Sequence, residues 1–209
     1  MFNNFRKLSR QIGGKFHVWH DINRKRLIGG KLPQEYIKEG VFIPVGTPVQ
    51  ITGGADSMAL PLEVFILTKK LEAGDVVVEL KYNKRLPYPK AGQFLMAAPK
   101  TLSTTGKGIE VEEVEIDTVE GVVKLTIAAG ALGALPVDAL LVAADKAGST
   151  SSIAVKPNAL THDDVTIRDG VYEMTLAGVS SGIIYEDRIT PVPECVKEAL
   201  SMISFEPNI

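Results

Sequence analysis

From Ile109 to Ile127 the chain alternates apolar and charged residues around Glu120-Gly121. A period of two commits this stretch to β-structure with one wet face and one buried face. Closing a hairpin at Glu120-Gly121 opposes Thr118 with Val123, Asp117 with Lys124, Ile116 with Leu125, Glu115 with Thr126 and Val114 with Ile127. The apolar pairs then share a face. The alternation shifts by one residue at Glu112-Glu113, which predicts a β-bulge there.

Asp169-Gly170 predicts a second hairpin, because both residues tolerate the positive φ of a two-residue turn. It would pair Arg168 with Val171, Ile167 with Tyr172, Thr166 with Glu173 and Val165 with Met174. Val76, Val78, Leu80 and Tyr82 alternate after the turn signal Ala73-Gly74-Asp75 and read as a third strand. Leu62 to Leu67 is apolar apart from Glu63 and reads as a strand buried on both sides. Prolines at 44, 48, 61, 87, 89 and 99 favour strand ends and loops over long helices. Only the end of the chain has helical spacing, in Val196, Ala199, Leu200 and Ile203 after Pro193-Glu194, which predicts a helix over about 193–204. Asp138 to Ala144 fits either a short helix or a buried strand.

The chain is therefore expected to be mainly β, a β-sandwich or barrel-like module with hairpins, an extended N-terminal arm and a short C-terminal helix. Three parts are expected: a basic arm over 1–39, a β-rich module over 40–147, and a smaller hairpin-plus-helix module over 148–209. Gly148 to Ser152 reads as the linker between the last two.

Composition fits a soluble intracellular globular protein, with 45% hydrophobic and 23% charged residues. Cys195, the sole cysteine, excludes an intramolecular disulfide framework and a thiolate zinc site. The most apolar stretch, Leu125 to Ala144, is broken by Gly130, Gly133, Pro136 and Asp138 and makes a poor membrane span. No apolar stretch follows the first ten residues as a secretory signal would require.

Charge is strongly polarised. Residues 1–31 carry Arg6, Lys7, Arg10, Lys15, Arg24, Lys25, Arg26 and Lys31 against Asp21, a balance of +7, whereas the remaining 178 residues sum to −9. A basic arm on an acidic body is a docking pattern. A frayed, solvated terminus is the plainer reading. Against it stand Ile12, Phe16, Val18, Trp19, Ile22, Leu27 and Ile28, too many apolar residues for a segment meant to stay in water.

No catalytic constellation emerges. His17 and His20 share a face only on a helix, and Asp21 is their sole neighbouring third ligand, so no metal site is expected. His162 reads as a polar loop residue and Cys195 as a small buried hydrophobe. Thr104-Thr105-Gly106-Lys107-Gly108 lacks the earlier glycine and the final Ser/Thr of a phosphate loop and reads as a loop tip. No cofactor is expected. The acidic run Glu110 to Glu120 reads as a wet strand face or as a seat for a basic arm.

Three segments carry a family resemblance: Ile43-Pro-Val-Gly-Thr-Pro-Val49, then Val64-Phe-Ile-Leu-Thr with Ala73-Gly-Asp-Val-Val-Val-Glu-Leu80, and Ile189 to Glu206 near the end. Together the chain resembles auxiliary capsid proteins of tailed bacteriophages, of the head-decoration or head-fibre type. That resemblance implies a non-enzymatic, β-rich virion protein, made in the host cytoplasm, that binds the outside of the shell. It implies the major capsid protein as partner, a homo-oligomer with a trimer favoured, and no membrane. The arm residues expected to attach it are Arg6, Lys7, Arg10, Lys15, Phe16, Trp19, Ile22, Arg24, Lys25 and Arg26. The alternative is a nucleic-acid-binding protein that uses the same arm on phosphates. The acidic body and the lack of a basic stripe interleaved with aromatics argue against it.

Overall fold

The structure, a computed structural model, describes residues 18–20, 26–82, 87–128 and 132–207. It is mainly β, with a short C-terminal helix, as the alternation predicts. Two mostly antiparallel sheets account for most strands.

The first sheet is built from β1 (Arg26–Lys31), β3 (Pro48–Ile51), β4 (Ala59–Pro61), β12 (Ala159–Thr161), β14 (Thr175–Tyr185) and β15 (Ile203–Glu206). Its order is β1-β14-β12-β3-β4, with β15 added parallel to the second half of β14. The edges curl towards each other, and Lys31 N donates to Ser57 O at 2.7 Å. Gly30 permits this approach, since a Cβ there would lie 2.6 Å from the backbone carbon of Met58. Leu32, Ile43, Val49, Ile51, Ile167 and Leu176 pack in the resulting core.

The second sheet runs β5 (Val64–Ile66), β10 (Leu140–Ala143), β7 (Phe94–Ala97), β8 (Gly106–Asp117), β9 (Val122–Ile127), β6 (Val77–Lys81), with β11 (Gly148–Ser151) on β8. Its ends also meet, where Leu67 bridges Leu80 and Thr68 N donates to Glu79 O at 3.0 Å. Closure of this kind leaves few unpaired edges. Phe65, Leu67, Leu80, Leu95, Leu125 and Leu141 fill its interior.

A third apolar cluster joins the two sheets. Met96 and Val142 reach it from the second sheet, Leu160, Val179 and Ile184 from the first. Their neighbours Leu95 and Leu141 point the other way into the second core, so β7 and β10 are covered on both faces. That double burial is why Phe94-Leu-Met-Ala97 and Leu140-Leu-Val-Ala143 are continuous apolar runs rather than alternating ones. Within the segment Asp138 to Ala144, Leu140–Ala143 is thus strand, entered from a turn in which Asp138 has φ +62°.

The β8–β9 hairpin forms with its apolar residues on one face, but two residues out of the expected register. Asp117 pairs with Val122, Ile116 with Val123 and Val114 with Leu125. A slip of two keeps every side chain on its own face. The loop is the four residues 118–121 because Asp117 Oδ1 accepts from both Val119 N and Glu120 N at 3.0 Å, an Asx turn that holds the first corner. The irregularity falls between Val111 and Glu113, where the bulge was expected.

The structure departs from four expectations. Asp169-Gly170 is a turn, and Val171 N donates to Arg168 O at 3.3 Å across it, but the ladder goes no further. Val165 and Thr166, as β13 (Val165–Thr166), pair instead with β2 (Phe42–Ile43), and Tyr172 is 84% exposed. The returning chain turns to β1, where Leu32 N donates to Met174 O at 2.8 Å. Gly148 to Ser151 is a strand rather than a linker, and Gly106 to Gly108 begins a strand rather than ending in a loop tip. Gly148 faces Gly108 across this ladder, and a Cβ on Gly108 would lie 2.2 Å from Lys146 O. The C-terminal helix α1 (Glu194–Ala199) is shorter than 193–204, because Ile203 leaves the helix to pair with Gly182.

Strand pairing also runs across the three-part division expected from the sequence. β1, within the 1–39 part, pairs along β14, and β2 and β3 pair with β13 and β12 from beyond residue 148.

Candidate functional site

The segment Ile43-Pro-Val-Gly-Thr-Pro-Val49 forms a tight turn fastened to β12. Thr161 Oγ1 donates to Pro44 O at 2.7 Å, and Thr47 Oγ1 donates to the same oxygen at 2.7 Å. Thr47 N donates to Thr161 Oγ1 at 2.9 Å, and Val45 N to Asp164 Oδ1 at 2.9 Å. Thr161 is fully buried, so this small network is satisfied inside the protein. Gly46 has φ +80°, and a Cβ there would lie 2.3 Å from Ile189 Cγ2. Only glycine fits.

Against this turn lies a cavity of about 290 Å³. Its aromatic lining comes from Tyr36, Phe42 and Tyr88, and its charged groups are Glu35, Glu39, Glu63 and Lys90. Tyr36 belongs to a short 3-10 turn over Gln34–Tyr36, and Glu63 sits on the link between β4 and β5. Glu35 and Glu39 are exposed, whereas Glu63 is half-buried. Gln93 Nε2 donates to the Glu63 carboxylate, and Gln93 Oε1 accepts from Lys90 N at 3.0 Å. Burial raises the Glu63 carboxyl above the ordinary glutamate range, outweighing the Gln93 hydrogen bond and the Lys90 charge. The Tyr36 phenol is held well above its ordinary range by burial first and then by the Glu63 and Glu35 charges. These groups make a negative, aromatic-walled cavity suited to a cationic group, not to nucleophilic chemistry. The sequence reading missed it, because its residues come from three separate segments. Its one local signal was the Pro-Val-Gly-Thr-Pro turn.

A second charged surface lies on the outer side of β6, β9 and β8. Across it run Val77, Thr126 and Glu113, then Glu79, Lys124 and Glu115, then Lys81, Val122 and Asp117. Lys124 lies 3.8 Å from Asp117 and answers part of the surrounding negative charge. The acidic run is thus a wet strand face.

The expected arm residues Arg6, Lys7, Arg10, Lys15, Phe16, Ile22, Arg24 and Lys25 lie outside the described residues. Arg26 opens β1, opposite Ser181, with a register shift directly after it. Trp19 is buried at 5% exposure in the cluster between the sheets, and its Nε1 donates to His162 O at 3.2 Å. The indole expected to help attach the arm to a partner lies in this chain's own core instead. Trp19 bridges Ile184, and His20 N donates to Ile183 O at 2.9 Å, so 18–20 continues the β1 edge of β14.

His20 is exposed, with its ring edge-on to Tyr185 at 5.5 Å, and His17 lies outside the described residues. Cys195 is buried in α1, and burial pushes its thiol up, which suppresses the thiolate. Among the described residues no group of three or more His, Cys, Asp or Glu is placed to hold a metal ion. No helix among them is long and apolar enough to cross a membrane. No family model matches this chain, and no curated protein or solved structure matches it either.

Proposed function

We propose that this chain is a non-enzymatic structural protein that binds the outside of a tailed-bacteriophage capsid shell as a head-decoration or head-fibre protein. The observation that carries the reading is the charge split: +7 over residues 1–31 against −9 over the rest. A positive segment before an acidic β body is drawn to acidic faces of a shell and away from other copies' own positive segments. The closed β-sheets add a body with few unpaired edges, suited to repetition at close quarters on a surface. Because Trp19 is committed to the chain's own core, attachment rests on the cationic residues Arg6, Lys7, Arg10, Lys15, Arg24, Lys25 and Arg26, with Phe16 and Ile22 as apolar anchors. Repetition over equivalent shell sites makes a modest affinity per copy sufficient, more so for a trimer.

The test is co-sedimentation of the full chain with purified shells, beside a variant with Arg24, Lys25 and Arg26 replaced by Gln. Binding that weakens in the variant and in high salt supports the reading. If the full chain ignores shells but shifts DNA in low salt, the nucleic-acid alternative replaces it.

A further inference from the structure

The cavity beside the Pro44–Thr47 turn has a chemistry that shell binding does not use. Its carboxylates Glu35, Glu39 and Glu63 outnumber Lys90, and Tyr36, Phe42 and Tyr88 present rings beside them. Ring faces attract cations, and a half-buried carboxylate hydrogen-bonded to a neutral amide, with the Lys90 charge answering only part of it, gains from a further positive partner. An anion is repelled there, and a neutral ligand leaves the charge unanswered.

One segment of this chain has the complementary chemistry. Residues 1–17 carry Arg6, Lys7, Arg10 and Lys15 with no acidic residue, interleaved with Phe2, Phe5 and Phe16. Its point of attachment is favourable. Val18, where the described chain begins, packs in the same apolar cluster as Leu62, and Leu62 lines the cavity. Seventeen extended residues span up to about 56 Å, more than a domain of this size requires. A tether that short holds the segment near its own body at an effective concentration in the millimolar range, which favours the molecule's own cavity over another copy's.

We propose that residues 1–17 dock in this cavity on the same molecule, a basic side chain meeting Glu63 between the rings of Tyr36 and Tyr88. The free protein then stores its positive segment on its own acidic site, and a stronger acidic surface draws it out. This inference does not depend on what that surface is, and it stands or falls in the absence of shells.

Carbodiimide joins a lysine amine to a carboxylate without a spacer, so it reads this contact directly. An equal mixture of the light and heavy-isotope full chain is cross-linked and mapped by mass spectrometry. The Lys31–Glu173 ion pair, at 2.9 Å, serves as the internal standard. Links from Lys7 or Lys15 to Glu35, Glu39 or Glu63, all within one isotopic copy, are expected. Glu63→Gln should lower the yield at Glu35 and Glu39 about threefold, the size of one partly exposed charge pair. If Lys31–Glu173 links form and none reaches the cavity carboxylates, the proposal is wrong. It is equally wrong if the cavity links join light to heavy chains, which would make a second copy the occupant.

Discussion

Thr161 Oγ1 donates to the carbonyl oxygen of Pro44 at 2.7 Å, and it receives Thr47 N at 2.9 Å. One buried hydroxyl therefore holds the turn beside the cavity to β12. Thr161→Val keeps the volume but leaves the Thr47 amide without that acceptor. A loss of about 1–3 kcal/mol is expected, the cost of a buried polar group left unpaired. Urea unfolding followed by circular dichroism should show a lower midpoint with an unchanged slope.

Two adjacent glycines in β1 should respond in opposite ways. A Cβ at Gly29 meets nothing nearer than 3.8 Å, and its φ lies outside the left-handed region. Gly29→Ala is expected to stabilise by about 0.4–1 kcal/mol through a less flexible unfolded chain. At Gly30 a Cβ would press on the backbone of Met58 and Ala59. Gly30→Ala should cost about 1–3 kcal/mol, as overpacking does when a backbone must move. Thermal melts of the two variants beside the parent decide the sign of each.

Trp19 is the only tryptophan, and it lies inside the protein. Its fluorescence should be blue-shifted in the folded state and move to the red in a single step on unfolding. Trp19→Ala should cost about 3–5 kcal/mol. Trp19→Phe restores most of the packing but loses the hydrogen bond to His162 O, worth about 1 kcal/mol. If neither variant changes stability, segment 18–20 is not held on β14.

Glu63 and Asp117 should titrate in opposite directions. Burial raises the folded Glu63 carboxyl, so its contribution to stability is present below the ordinary glutamate range and fades as pH rises through the folded value. Glu63→Gln should remove that slope, and its advantage over the parent should grow with pH. Asp117 is lowered, first by the Glu120 amide and then by the Val119 amide and Lys124. Its contribution is present above the ordinary aspartate range and is lost as pH falls through the folded value. Carbon-detected NMR of the side-chain carboxyls measures both shifts directly.

Local pattern carried a large part of this fold. The period of two around Glu120-Gly121 placed the right residues inside and located the bulge near Glu112, because both follow from neighbours in the chain. The exact register escaped because the Asp117 side chain, not the Gly121 signal, sets the loop length. At Asp169-Gly170 the local turn was correct and the pairing was not. Val165 and Thr166 found β2, more than a hundred residues earlier, and no local rule weighs such a competitor. Gly148 to Ser151 has a linker's composition yet forms a strand, since Gly108 lets its partner come close. The cavity was the least legible feature, for Tyr36, Glu63 and Tyr88 become neighbours only once the chain is folded.

Strand β14 has a further consequence through its pairing near Tyr185. Val18 O receives the Tyr185 amide on one edge, and Glu206 lies opposite Tyr185 on the other. The first and last paired residues of the described chain are therefore separated by two strand spacings, about 10 Å. A short glycine-rich bridge could join them, and new ends opened in the exposed 118–121 loop would preserve every ladder in both sheets. The order in which the strands are translated is thus separable from the architecture they build, and a circular permutant is a practical scaffold for presenting the β8–β9 hairpin at a chain terminus.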